Sequence, residues 1–218
     1  METMMRKTFL FGLIAALVTV SNASGQIVLN EVLGNTTGAD TEFIELYNAG
    51  TSAVDISGWL IEEIESDPGA SNGTVDDSWT IAPSTSLAAG AFYLLGNSTF
   101  ATAFGITPDQ TESLSIENSS YTLVLSDTTG VAQYTAFVSD SDGVVPTGLT
   151  PDISVGPDGT FLPAGYYLDV DGGSTASILE FAPVPAPSAT PGASNVPEPS
   201  SVAALAILAC AGVIRRRR

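Results

Sequence analysis

Apolar and polar positions alternate in short runs along most of this chain. Residues 27–33, Ile-Val-Leu-Asn-Glu-Val-Leu, predict a first strand. Residues 41–48 then place Phe43, Glu45 and Tyr47 on one face and Ile44 and Leu46 on the other, the period of two that a strand imposes. Residues 54–61 predict the return strand, with Gly58 marking a kink or bulge. Residues 62–77, rich in Asp, Glu, Gly, Ser and Asn, predict a loop, and Glu62, Glu63, Glu65 and Asp67 within it a solvated acidic surface. Further strands are predicted at 78–81, at the end of 87–95, and at 113–116, 121–126 and 131–137. Asp127-Thr128-Thr129-Gly130 makes the last two a hairpin. One helical turn is expected at 100–104, and residues 139–164 are expected to be mostly loop. Residues 166–170 and 178–181 predict edge strands, and a Pro/Ala/Ser-rich spacer follows. Many short strands separated by turn residues predict an all-β fold, an antiparallel β-sandwich.

The two ends of the chain depart from this pattern. Arg6 and Lys7 precede an apolar run at 9–20, followed by the small residues Ser21-Asn22-Ala23-Ser24-Gly25. This order predicts a secretory signal peptide over 1–25, cut before Ser24 or Gln26. At the other end, Val196-Pro197-Glu198-Pro199 leads into the uncharged segment 202–214 and then Arg215, Arg216, Arg217 and Arg218. A helix over 200–214 is short against a hydrocarbon core of about 30 Å, but arginines at its end can snorkel to the interface. They also hold that end on the cytoplasmic side. The expected organisation is therefore 1–25 leader, 26–182 sandwich, 183–195 linker and domain end, and 196–218 tail.

This tail resembles the PEP-CTERM sorting signal of exported proteins of Gram-negative bacteria. Val196, Pro197, Glu198 and Pro199 match the signature, 202–214 the membrane segment, and Arg215–Arg218 the basic end. The resemblance implies passage through the Sec translocon and processing by an exosortase-type sorting protease. It also implies an envelope or extracellular destination, with exopolysaccharide or other matrix components as partners.

Charge sharpens the picture. All six Lys and Arg lie in the leader or the tail, and there is no His. Of the 24 Asp and Glu, all but Glu2 and Glu198 lie between those ends. The body has no side chain with which to neutralise phosphate, which excludes nucleic acid and anionic lipid headgroups as natural partners. Imidazole-based triads and His-ligated zinc are excluded too. The one cysteine, Cys210, lies in the tail, so no disulfide framework is expected. An all-acidic body should be stabilised by salt or divalent cations.

Two acidic constellations bear on chemistry. Asp140-Ser141-Asp142-Gly143 and Asp169-Val170-Asp171-Gly172 have the spacing that opens a calcium loop. Neither continues to a distal Glu, so neither is an EF-hand. Asp140, Asp142, Asp169 and Asp171 stand as calcium candidates, with acidic turn residues as the alternative. Glu31 and Glu45 fall on adjacent predicted strands, where they could face each other. A carboxylate pair can hydrolyse glycosides, but acceptance of hydrogen bonds at a sheet edge is the expected role.

The body is also similar to a lamin tail domain. The similarity runs through Leu29-Asn30-Glu31-Val32, then 42–48 and 54–59, then Trp79-Thr80-Ile81 and 90–95. It continues through Leu123-Val124-Leu125-Ser126-Asp127 with Gly130, and ends at 190–195. It implies an immunoglobulin-like sandwich with no catalytic residues. Many members carry an Arg shortly before a Pro-Asp-Gly turn; here Ser154-Val155-Gly156 stands there. The functional expectation is an exported, non-enzymatic surface or matrix protein with a structural or adhesive sandwich. The alternative is a calcium-dependent carbohydrate-binding or adhesion module.

Overall fold

The alternating runs fold into two sheets with a shared apolar interior. The computed structural model describes residues 26–34, 41–157, 165–179 and 189–195. The expected leader and sorting tail lie outside these residues. Among the described residues no helix is long and apolar enough to cross a membrane.

The strands, in chain order, are β1 (Ile27–Leu33), β2 (Phe43–Asn48), β3 (Val54–Asp55), β4 (Leu60–Glu65), β5 (Val75–Thr80), β6 (Ser86–Leu87) and β7 (Phe92–Gly96). A short helix α1 (Phe100–Phe104) follows. Then come β8 (Gln110–Thr111), β9 (Tyr121–Ser126), β10 (Ala132–Val138), β11 (Ile153–Val155), β12 (Gly165–Leu168) and β13 (Ala176–Leu179). One sheet has the order β13-β12-β1-β2-β7-β8, the other β11-β10-β9-β4-β5, and β3 pairs with β6 in a small ribbon.

The period of two decides which residues meet. Ile44 and Leu46 turn inward and join Leu29, Val32, Ile61, Leu123, Leu125 and Tyr166 in the core between the sheets. Each such side chain, fully removed from water, contributes about 1.5–3 kcal/mol. The opposite face of the six-stranded sheet is covered as well. Leu33, Phe43, Leu94 and Leu179 form a second cluster there with Phe100 of α1, and Ala189 packs against it. The Phe43 and Phe100 rings meet edge-on at 5.5 Å. Both sheet faces are therefore dry around β1 and β2, which sets the environment of Glu31 and Glu45.

Several sequence expectations need correction. Residues 54–61 are two strands, because the chain turns at Gly58 (φ +73°), where Trp59 N–H bonds Ile56 O. The segment 62–77 is no loop: β4 runs to Glu65 and β5 starts at Val75. Glu63, expected in solvent, is 1 % exposed. It follows Ile61 by two positions and pairs with core-facing Leu123 of β9, so the pleat turns it inward. Residues 113–116 form no strand. The expected loop at 139–164 contains β11, which joins the edge of its sheet parallel to β10, and β8 joins β7 in the same sense. The sandwich is thus antiparallel except at these two edge strands.

Candidate functional site

Among the described residues four glutamates are buried, in a body without cationic side chains: Glu31, Glu42, Glu45 and Glu63, none more than 3 % exposed. A buried carboxylate without a partner charge needs hydrogen-bond donors. Here most of those donors are backbone N–H groups from two irregular segments. Residues 189–195 serve Glu31 and Glu45; the loop between β8 and β9 serves Glu42 and Glu63.

The first pair is built on a bulge. Glu31 and Glu45 are direct cross-strand partners on the outer face of β1 and β2. The register shifts between Leu29 and Glu31, leaving Asn30 as the extra residue. A bulge re-aims its side chain, and Asn30 Nδ2 reaches both Glu45 Oε1 at 2.8 Å and Asp171 Oδ1 at 3.1 Å. The rest of the cap is a type II turn at Thr190-Pro191-Gly192-Ala193. Ala193 N–H bonds Thr190 O at 3.0 Å, and Gly192 supplies the positive φ (+75°) that this turn requires after proline. The turn directs Thr190 N–H to Glu31 (3.0 and 3.2 Å) and Gly192 N–H to Glu45 Oε2 (2.6 Å). Asn195 anchors the far end, its Nδ2 donating to Leu168 O and its N–H to Asp171 Oδ1.

The segment 183–195 is the expected linker and domain end. Residues 189–195 are a strap bonded across the sheet, and 183–188 lie outside the described residues. The sheet-edge placement of Glu31 and Glu45 is corrected, since β1 and β2 are interior strands. Burial pushes the Glu31 carboxyl up to about 8, against the hydrogen bonds from Thr190 and with the help of the Glu45 charge. Burial likewise lifts Glu45 to about 7 against the bonds from Asn30 and Gly192.

The second pair holds the β8–β9 loop. Ile116 N–H bonds Glu42 Oε2 at 3.2 Å, and Glu117 N–H bonds Glu63 Oε1 at 2.6 Å. These side-chain acceptors replace the strand partner that residues 113–116 lack. A cleft of about 640 Å³ opens beside the loop, lined by Glu63, Asp76, Asp77 and Glu117 among others. Asp76 is the extra residue of a bulge in β5, where the register shifts between Glu63 and Ile64. Glu63 Oε2 and Glu117 Oε2 are buried and make no hydrogen bond among the described residues. Burial raises the Glu63 carboxyl to about 8, opposed by the Glu117 N–H and reinforced by the charges of Glu117, Asp76 and Asp77.

The calcium candidates separate. Asp140 and Asp142 come together with Asp67, their carboxylate oxygens within 4.8 Å of one another. Asp140 Oδ1 already accepts from Ser120 Oγ and from Asp142 N–H. Burial raises the Asp140 carboxyl, but the bonds from Asp142 and Ser120 outweigh it and hold the group below its ordinary range. Asp169 and Asp171 belong to neither group of three carboxylates that converge among the described residues. Asp169 accepts from Ser177 Oγ, and Asp171 uses both oxygens on Asn30, Ser194 and Asn195. The other convergent group, Glu65, Asp76 and Glu117, went unnoticed in the sequence because its members come from three separate segments.

Residues 20–140 match the family model of the lamin tail domain. The chain belongs to the lamin tail domain family. No curated protein matches it. The lamin tail domain is an immunoglobulin-like, non-catalytic fold family, and the carboxylate pairs fit that character, acting as acceptors that fasten loops. The matched range ends two residues past β10, whereas this lamin tail sandwich goes on through β11–β13 and the strap.

Proposed function

We propose that this lamin tail protein is an exported, non-enzymatic bacterial surface or extracellular-matrix protein whose sandwich makes structural or adhesive contacts. The observation that carries the reading is the charge layout: every Lys and Arg lies at 6–7 or 215–218, around a body with none. A leader needs its basic n-region and a sorting tail its basic end; the body between them carries no Lys, Arg or His. In this reading the Sec translocon exports the chain, and an exosortase-type protease recognises Val196, Pro197, Glu198 and Pro199. The segment 200–214 holds the chain in the membrane until it is sorted. Exopolysaccharide or another matrix component is the proposed contact.

Fractionation of cells producing an internally tagged chain tests this. Tagged protein shortened at both ends and found in the envelope or medium is the expected result. Full-length protein confined to the cytoplasm would overturn it. A second reading, a calcium-dependent carbohydrate-binding module, is favoured by the convergence of Asp67 with Asp140 and Asp142. Polysaccharide co-sedimentation that disappears on chelation is its test.

A further inference from the structure

We propose that the cleft between β4, β5 and the β8–β9 loop is a divalent-cation site of calcium type, with Glu65, Asp76 and Glu117 as its converging ligands and the buried Glu63 lining it from β4. A cluster of acids alone would not justify this, because exposed acidic groups are common on an anionic body. What distinguishes the cleft is the state of its inner oxygens. Glu63 is 1 % exposed, and its Oε1 is fixed by Glu117 N–H at 2.6 Å. That bond leaves Oε2 held in place, buried and without a donor among the described residues, on a side chain that lines the cleft. Glu117 Oε2 is likewise buried and makes no hydrogen bond among the described residues, on a side chain that is itself half-buried. Leaving such an oxygen unsatisfied costs about 1–3 kcal/mol, and more when it is charged.

Only a proton or an external cation can neutralise this group, since the body carries no cationic side chain. The spacing suits a cation. One carboxylate oxygen from each of Glu65, Asp76 and Glu117 lies within 4.8 Å of the others. Calcium takes six to eight oxygens at about 2.3–2.6 Å, so oxygens on opposite sides of the ion stand roughly 5 Å apart. Magnesium, at about 2.0–2.1 Å and rigidly octahedral, demands a tighter set. The Asp67, Asp140 and Asp142 group has the same span, but no buried oxygen without a donor belongs to it.

The test is isothermal titration of calcium chloride into the full chain at pH 7.5. Saturable binding is expected, in the range of about 10⁻⁴–10⁻³ M usual for extracellular modules. Glu63→Gln keeps an oxygen for Glu117 N–H and should weaken binding about tenfold or more, as should Asp76→Asn. Asp76 is exposed, so its variant keeps the fold whatever Glu63→Gln does. Asp140→Asn should bind as the parent does. No heat at millimolar calcium, equal binding by the parent and Asp76→Asn, or a loss confined to Asp140→Asn would each overturn the proposal. Cation binding here does not depend on the export route, so the two readings fail separately.

Discussion

The strap site and the cleft solve one problem with opposite completeness. The strap buries Glu31 and Glu45 and the cleft Glu63, and each draws donors from an irregular segment. Under the strap, both oxygens of Glu31 and both of Glu45 are engaged, by Thr190, Gly192 and Asn30. At the cleft, Glu63 has one engaged oxygen and one without a donor, and further acids crowd around it. The difference teaches that burial alone does not mark a carboxylate as functional. A buried carboxylate whose acceptor sites are filled by backbone N–H groups is a fastening; one left half-filled beside a cleft still has capacity for a ligand.

Substitutions at the strap should have the largest effect. Gly192→Val forces a β-branched residue to φ +75° and displaces the N–H from Glu45. The expected loss is about 2–4 kcal/mol from strain and the lost hydrogen bond together, read by urea denaturation. Thr190→Pro deletes the N–H that serves Glu31, and about 1–3 kcal/mol should go with it in the same assay.

The pH response comes next. Glu31 (about 8), Glu45 (about 7) and Glu63 (about 8) all have folded values above the ordinary 4.5. Between these limits the folded chain binds more protons than the unfolded one, so stability is fully present below about pH 4.5 and falls as pH rises to about 8. The melting temperature should therefore be higher at pH 5 than at pH 8.5. Glu31→Gln should flatten that slope, and an unchanged slope would show that Glu31 is not the titrating group.

Smaller still, Glu63→Gln in calcium-free buffer at pH 7 should shift stability by less than about 1 kcal/mol, because the displaced group is already protonated and the Glu117 bond survives. A large loss would make the cleft a second fastening and erase the contrast. Asp169→Asn, on an exposed turn, should stay within about 0.5 kcal/mol.

Much of this was legible in the sequence, and the parts that were not share a cause. Alternation placed Phe43 and Glu45 opposite Ile44 and Leu46, and the Asp127–Gly130 turn fixed the β9–β10 hairpin. Glu63 was lost because Glu62, Glu63 and Glu65 form a charge run, whose alternation with Ile61 and Ile64 is masked by acids on both faces. The strap's residues carried the lamin tail similarity at 190–195, but its fastening role was hidden, because its work is done largely by backbone N–H groups that every residue but proline has. The available clue was Pro191-Gly192, a type II turn pair, in a chain with two glutamates to fasten. Three-residue β11 was too short to show a period. The calcium-like spacing of Asp169 and Asp171 sits in a turn that also serves a β-hairpin, where Gly172 N–H goes to Asn30 Oδ1.

The strap's last anchored residue, Asn195, stands directly before the Val-Pro-Glu-Pro motif. A tension applied through the tail would reach β12 through the Asn195 clasp with no slack to take up, as load passes to a riveted plate. Severing the chain beyond Asn195 would leave every rivet in place, whereas severing it before Thr190 would strip the cover from two buried acids and spoil the plate itself.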